Sequence, residues 1–361
     1  MDIAVIGGGH GAYAAAVSLT EQGHRVRLWR RDATAFAPVL EHSAITVLDR
    51  KGQRDVKLHL ATTDLAKAMD GAPLIVIPLP ATTHMELAPQ MAPHLQKGQV
   101  VFFTPGTFGS YVFAKAMKEC GNKADVTFAE TGTLPYLARK RGPRLVSVSG
   151  YATRLPTGLL PLKNAAHAFP ILEAGYPAVE RITDALDGAL MNAGPIIHPP
   201  LIMMNAGPLE HFEAWDIHNE GTQPSIRRVT DALDNERIAV REALGYGKPH
   251  FPLADHYVDK RDEWMYGNAS HERLTDSGDW REKIDLVRHR YMLEDVEMGL
   301  AFLVSCADFA GVKAPIATGL LAMGSAITGR NLRQSGRTLE NLKLAGLSRT
   351  ALTTMLNNGV E

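Results

Sequence analysis

The chain has 361 residues, 21% charged and 45% hydrophobic, with Lys+Arg 38 against Asp+Glu 39 and a formal charge of −1. That balance excludes an electrostatic footprint for nucleic acid or an anionic membrane, and at roughly 150 residues per domain the length predicts about two globular domains. Two cysteines, Cys120 and Cys306, exclude a disulfide scaffold and a cysteine-based zinc site, and no metal is expected.

The opening MDIAVIGGGHG lacks a basic n-region and its apolar run is broken by glycines, so it does not read as a signal peptide. No apolar run reaches the ~18 residues of a membrane span, and a cytoplasmic protein is the expectation. Asp2–Ile6 reads as a buried strand, His10–Gln22 as a helix and Arg25–Trp29 as a second strand. Leu74–Ile77, Val100–Phe103, Val126–Phe128 and Leu145–Val148 follow as short strands with helical segments between several of them. Strands interleaved with helices imply right-handed crossovers, hence an α/β domain with a doubly wound, mainly parallel sheet. Near residue 185 the pattern changes. Ile226, Val229 and Leu233, then Leu293, Val296, Leu300 and Leu303, repeat at helical spacing, and strand alternation almost vanishes after Pro200. The expected division is residues 1–185 as a Rossmann domain and 186–361 as an all-α domain. Asp259–Trp280 reads as a polar, less regular connection.

Gly7-Gly8-Gly9-His10-Gly11-Ala12 follows the first strand and opens the first helix, fitting G-x-G-x-x-A. Gly7 allows the tight turn, Gly9 lets a pyrophosphate approach the backbone, Ala12 is small enough for close helix–strand packing, and Gly11 counts with them as cofactor-binding. The helix N-terminus supplies amide donors and a favourable dipole. His10 reads as a helix-start surface residue within reach of a phosphate. The second strand ends Leu28-Trp29-Arg30-Arg31-Asp32, where NAD sites usually carry an acid for the ribose hydroxyls. Arg30 and Arg31 suit a 2′-phosphate, which favours NADP; Asp32 as a ribose ligand would leave NAD possible. Pro80 and Thr104 stand at the ends of later strands, as nicotinamide-side loop residues or simple turns.

Hydride chemistry requires a proton donor and an anchor for substrate charge. His198, in Gly194-Pro195-Ile196-Ile197-His198-Pro199, falls at the boundary of the two expected domains and reads either as that donor or as a satisfied core histidine. Arg290 and Asp295 flank Tyr291-Met292-Leu293-Glu294 at the start of an amphipathic helix. At about 100° per residue, five residues leave these two about 140° apart, so a regular helix separates them unless Arg290 precedes it.

These residues give the chain a family resemblance. It is similar throughout to the octopine/nopaline (opine) dehydrogenases, including bacterial N-(1-carboxyethyl)amino-acid dehydrogenases. The shared pieces occur in order: GxGxxA, Val76-Ile77-Pro78-Leu79-Pro80, Thr104-Pro105-Gly106, Glu130-Thr131 and the His198 segment. Asp234-Asn235-Glu236-Arg237, Arg290–Val296 and Gly336–Leu342 complete the set. It resembles glycerol-3-phosphate dehydrogenases only in the Rossmann half. The opine resemblance implies an all-α substrate domain after the Rossmann domain and reductive condensation of an amine with a 2-oxo acid, commonly pyruvate. It implies His198 as general acid/base, Asp295 orienting its imidazole, and Arg290 holding the oxo-acid carboxylate. An amine pocket is expected around Met203, Met204, Asn205, His218 and Thr222, and a homodimer is expected. The chain departs from many relatives at Arg30, where they carry an acid, and at Gly194, where they carry Asn before the proline. The competing readings are a 2-oxo-acid reductase making a hydroxy acid and a non-catalytic NADPH-binding protein.

Overall fold

The computed structural model describes residues 1–254, 266 and 280–360; of the polar stretch Asp259–Trp280, only Tyr266 and Trp280 fall within the described residues. The chain forms two compact units, Met1–Ala189 with Thr353–Glu361, and Leu190–Leu352. The first boundary thus lies a few residues beyond the expected 185/186, and the C-terminal residues cluster with the sheet rather than with the helices. There Leu356 is buried and Gly359 approaches Pro161.

The first unit holds twelve strands among its described residues. They are β1 (Asp2–Ile6), β2 (Arg25–Trp29), β3 (Ala44–Asp49), β4 (Gly52–Lys57), β5 (Leu60–Thr62), β6 (Leu74–Ile77), β7 (Val100–Phe103), β8 (Thr127–Thr131), β9 (Tyr136–Lys140), β10 (Leu145–Tyr151), β11 (Leu155–Leu160) and β12 (Val179–Asp184). Eight form one sheet in the order β12-β11-β8-β7-β6-β1-β2-β5, parallel except where β11 meets β8. Its central strands are buried along their whole length, as strands covered on both faces must be. The expected strand at Leu145–Val148 lies elsewhere. Burial alternates along β10, so only one of its faces is covered, and it joins β3, β4 and β9 in a separate four-stranded sheet.

From β1 the chain runs outward to β2 and β5, then crosses back to β6, β7 and β8 on the other side. This reversal makes the carboxyl edge of β1 the switch point, where open α/β sheets take ligands. Helix α1 (His10–Glu21) springs from that edge. Its run of alanines keeps it slim, and Tyr13, Ala14, Ala15, Ala16, Val17 and Leu19 are all buried.

The second unit is built on helices α2 (Gly194–Met204), α3 (Pro224–Ala243), α4 and α5 (Pro315–Thr328). Helix α4 is π-wound over Tyr291–Leu300 and α-helical over Ala301–Ala310. The strand signal is confined, among the described residues, to a two-residue pairing of Trp215–Asp216 with Arg281–Glu282. The Asp234-Asn235-Glu236-Arg237 motif turns out to be structural reinforcement. Buried Arg237 binds Asp234 (Nε–Oδ1 2.6 Å) and donates to the carbonyls of Leu190, His250 and Phe251, while Asp234 accepts from the Leu253 amide. Glu236 accepts from the amides of Ile316 and Ala317, capping α5. Removing one partner of a buried pair leaves an uncompensated charge. Arg237→Ala is therefore expected to lower the unfolding free energy by about 3–5 kcal/mol, read from urea denaturation; a loss within experimental error would contradict the assignment.

Candidate active site

At the cofactor end, Gly7 adopts φ +134 and its amide donates to the Trp29 carbonyl, closing the turn between β1 and α1. A Cβ at Gly7 would press on Leu79 in a backbone conformation that favours glycine, and one at Gly11 would stand 2.6 Å from the Leu134 side-chain end and 3.2 Å from Pro78, so both positions are closely packed. Ala12 is completely buried. Gly9 differs: no protein atom lies within 4 Å of a Cβ placed on it. It begins α1 without a side-chain cap, and the first turn carries no acidic residue. Open amides, the positive end of the dipole and a clear approach make a cradle for a pyrophosphate.

Arg30 lies flat against Gly8, where an added Cβ would collide with its Cδ, and its guanidinium donates to the Ala35 carbonyl. Arg31 does not join it. Its side chain is exposed and paired with Glu86. Asp32, the alternative ribose ligand, spends one carboxylate oxygen capping the helix Ala33–His42 through the Ala35 amide. His10 accepts a hydrogen bond from the Lys140 amide at 2.6 Å. Pro80 leads into the turn Ala81–Thr83 and accepts from the Thr83 hydroxyl and amide. Thr104, at the end of β7, is buried, and its hydroxyl has no hydrogen-bond partner among the described residues. An orphaned buried hydroxyl at the carboxyl edge of a parallel sheet fits a nicotinamide-side contact. These residues suit a nicotinamide dinucleotide.

The chemical end lies within the helical unit. His198 on α2 contacts Asp295 on α4 through Nδ1–Oδ2 at 2.8 Å, with side chains only 15% and 8% exposed. The His198 ring stacks on Tyr291 at a centroid distance of 3.9 Å and 21° between planes, and His218 meets it edge-on at 5.6 Å. The pair is close because the helices touch at their backbones. A Cβ on Gly194 would strike Asp295 Oδ1, and one on Gly299 would strike the Pro195 ring. Gly194, lacking a Cβ, thus leaves room for the Asp295 carboxylate.

Arg290 immediately precedes the π-wound segment, the case in which the ~140° separation of a regular helix does not apply, and i→i+5 bonding departs further from about 100° per residue. The Arg290 guanidinium lies 5.1 Å from the Tyr291 ring centroid, and its charge and that of Asp295 act on each other. Desolvation opposes the Arg290 charge, but Tyr291, Glu294 and Asp295 outweigh it and hold its pKa above the ordinary arginine value. Arg290 remains solvent-accessible. Burial pushes the Asp295 carboxyl up to about 7, with Arg290 pulling against it.

The candidate amine-pocket residues divide in two. Asn205 is buried and occupied at both ends of its amide: Nδ2 donates to the Leu201 and Gly221 carbonyls and Oδ1 accepts from the Trp215 indole. Thr222 is buried and donates to the Ile217 carbonyl. Met203 is buried, whereas Met204 is 41% exposed. His218 bridges His198 and Trp280 by ring contacts. The sequence reading missed Tyr291 as the platform for the histidine, Gly194 and Gly299 as points of close approach, and Lys140 beside the glycine-rich turn. The first three are adjacent to motifs and carry a usable signal. Lys140 lies about 130 residues from the turn on a strand the pattern did not reveal.

Residues 181–328 match the family model of the NAD/NADP octopine/nopaline dehydrogenase alpha-helical domain, and residues 2–112 match that of the NAD-dependent glycerol-3-phosphate dehydrogenase N-terminus. The chain is 28% identical over 353 residues to an opine dehydrogenase of Arthrobacter sp. (strain 1C), covering 96% of each. It is 24% identical over 360 residues to the octopine dehydrogenase of Mizuhopecten yessoensis, covering 87% of each. A structure of octopine dehydrogenase in complex with NADH and agmatine shares the fold with a TM-score of 0.74 at 19% identity, over 100% of this chain and 99% of that one. NADP+-bound yersinopine dehydrogenase does so with a TM-score of 0.64 at 14% identity, over 99% and 97%. Two family models that fall in order on the sheet and helical halves, and relatives aligned nearly end to end, make the chain similar throughout to the octopine/nopaline (opine) dehydrogenases and support an NAD(P)-dependent oxidoreductase.

Proposed function

We propose that the protein condenses an amino acid or other amine with a 2-oxo acid such as pyruvate and reduces the resulting imine, with NADPH preferred over NADH. The observation that carries this reading is the buried His198–Asp295 pair, on whose carboxyl the Arg290 charge acts. Arg290 holds the oxo-acid carboxylate through charge-assisted hydrogen bonds, which fixes the carbon to be reduced. Asp295 accepts from His198 Nδ1, so the proton exchanged with substrate is the one on Nε2. His198 gives that proton to the carbonyl oxygen as water departs and the C=N bond forms, and it manages the amine proton during reduction. Bound reduced nicotinamide supplies the hydride. Among the residues first considered for the amine pocket, Asn205 and Thr222 shape the wall, while Met204 and His218 face the amine. The preference for NADPH rests on Arg30 at the glycine-rich turn and on the use of Asp32 as a helix cap.

His198→Ala is expected to reduce kcat by about 10²–10⁴-fold with the melting temperature nearly unchanged; near-wild-type turnover would sink the assignment. NADPH oxidation should require pyruvate and an amino-acid pool together. Full-rate oxidation with pyruvate alone would instead mark a hydroxy-acid dehydrogenase. Gly194→Ala is expected to displace Asp295 and cut kcat by at least tenfold, in the range of disturbing the acid/base pair, while binding of NADP+ is unaffected; unaltered kcat would show that the close approach is not needed.

A pH signature follows from Asp295. Unfolded, its carboxyl titrates near ~4; folded, burial holds it at about 7. The folded state binds this proton more tightly, so the group's contribution to stability falls as pH rises from about 4 towards 7 and then levels off. Asp295→Asn should therefore gain melting temperature on the wild type across that window while losing turnover. A difference in melting temperature that does not change with pH would refute the assignment.

A further inference from the structure

The glycine-rich turn is flanked by a second cation that the reading above does not use. Lys140, the last residue of β9, reaches back over α1 so that Nζ donates to the Gly8 carbonyl at 3.2 Å and lies 4.2 Å from the centroid of the Tyr13 ring. Its own amide is held by His10. Arg30 packs on the same Gly8 from the end of β2. Two cations therefore converge on the residue between Gly7 and Gly9, although each disfavours the other. Desolvation and the Arg30 charge hold the Lys140 ammonium down to about 8. The titratable groups packed around it are Arg30, with Asp32 3.9 Å beyond it, and Tyr13 and His10 of α1. Burial pushes the Tyr13 phenol up, away from the range in which Lys140 titrates. The Gly8 carbonyl occupies one of three ammonium donors. Mutually repelling cations at a nucleotide-binding turn are settled by a bound dianion, and a phosphomonoester above pH 7 is one.

We propose that Lys140 is a second cofactor-specificity residue, which with Arg30 grips the 2′-phosphate of NADP(H) and selects it over NAD(H). The proposal rests on the NADPH reading above and extends it to a residue of the β9–β10 sheet. It is to be tested by calorimetric binding of adenosine 2′,5′-bisphosphate and of 5′-AMP, which differ only in the 2′-phosphate, to the full-length protein. Wild type should prefer the bisphosphate. Lys140→Met, which keeps the aliphatic contact with Tyr13, should weaken the bisphosphate roughly tenfold or more, as loss of a charge-assisted hydrogen bond does, and leave 5′-AMP within about twofold. Lys140→Arg should restore most of the preference. At pH 8.5, titrations in buffers of different ionisation enthalpy should report net proton uptake by wild type on binding the bisphosphate and none by Lys140→Met. Equal weakening of both nucleotides would assign Lys140 to holding the turn rather than the phosphate and overturn the proposal, as would a preference that survives Lys140→Met. If wild type binds the two nucleotides alike, the NADPH reading itself fails and the proposal falls with it.

Discussion

The contact between His198 and Asp295 organises the chemical end of the helical unit. It joins α2 to α4 at 2.8 Å between largely buried side chains, and side chains of ordinary length reach it because the two helices pack closely. Glycine at 194 on one helix and at 299 on the other removes the Cβ atoms that would hold them apart. Tyr291 then closes the histidine ring from one face. An imidazole held by a carboxylate, a stacked ring and its own helix has few ways to reorient, which is what a group that must meet a substrate at one angle requires.

That arrangement has a cost. A carboxylate brought into a low-dielectric setting resists ionisation, and Asp295 shows it in its raised pKa. Arg290, just before the π-wound segment, answers part of the problem, because its charge favours the ionised carboxyl. Long π segments are rare because their hydrogen-bond geometry is less favourable than that of an α-helix, and they recur at functional sites. Here the winding is confined to the stretch that holds Arg290's neighbours and Asp295, and α geometry resumes at Ala301. The unit is reinforced elsewhere. Asp234, Glu236 and Arg237 on α3 tie down the loop at 250–253 and the start of α5 with buried or partly buried charged hydrogen bonds.

At the sheet unit the governing physics is the uncapped start of α1. Helix N-termini are commonly capped by a side-chain oxygen, as Asp32 and Asp64 do for the two helices that follow β2 and β5. Gly9 supplies none, and its amides remain directed toward the switch point of the sheet. Arg30 and Lys140 add positive charge at the same turn. The site is thereby matched to negatively charged ligands by backbone first and side chains second.

Much of this was legible in the amino-acid order because it depends on local chemistry. The glycine spacing, the arginines ending β2 and a helix-period pattern after residue 185 are short-range features, and each gave the corresponding element. The family motifs extended that reading to His198, Arg290 and Asp295 as a set. The sequence left open whether Arg290 precedes the helix, and it could not reveal the π-winding, since periodicity assumes about 100° per residue. Nor could it reveal that Arg31 turns to Glu86, that Asn205 is consumed by Leu201, Gly221 and Trp215, or that β10 leaves the main sheet. The Asn205 partners lie 4 to 16 residues away and Glu86 lies 55 from Arg31, and Lys140 comes to Gly8 only when β9 folds against α1. The sequence by itself determined which chemical groups the protein owns and the local elements that carry them; the tertiary structure alone decided which of those groups meet, because meeting depends on backbone approach and helix winding that no local pattern encodes.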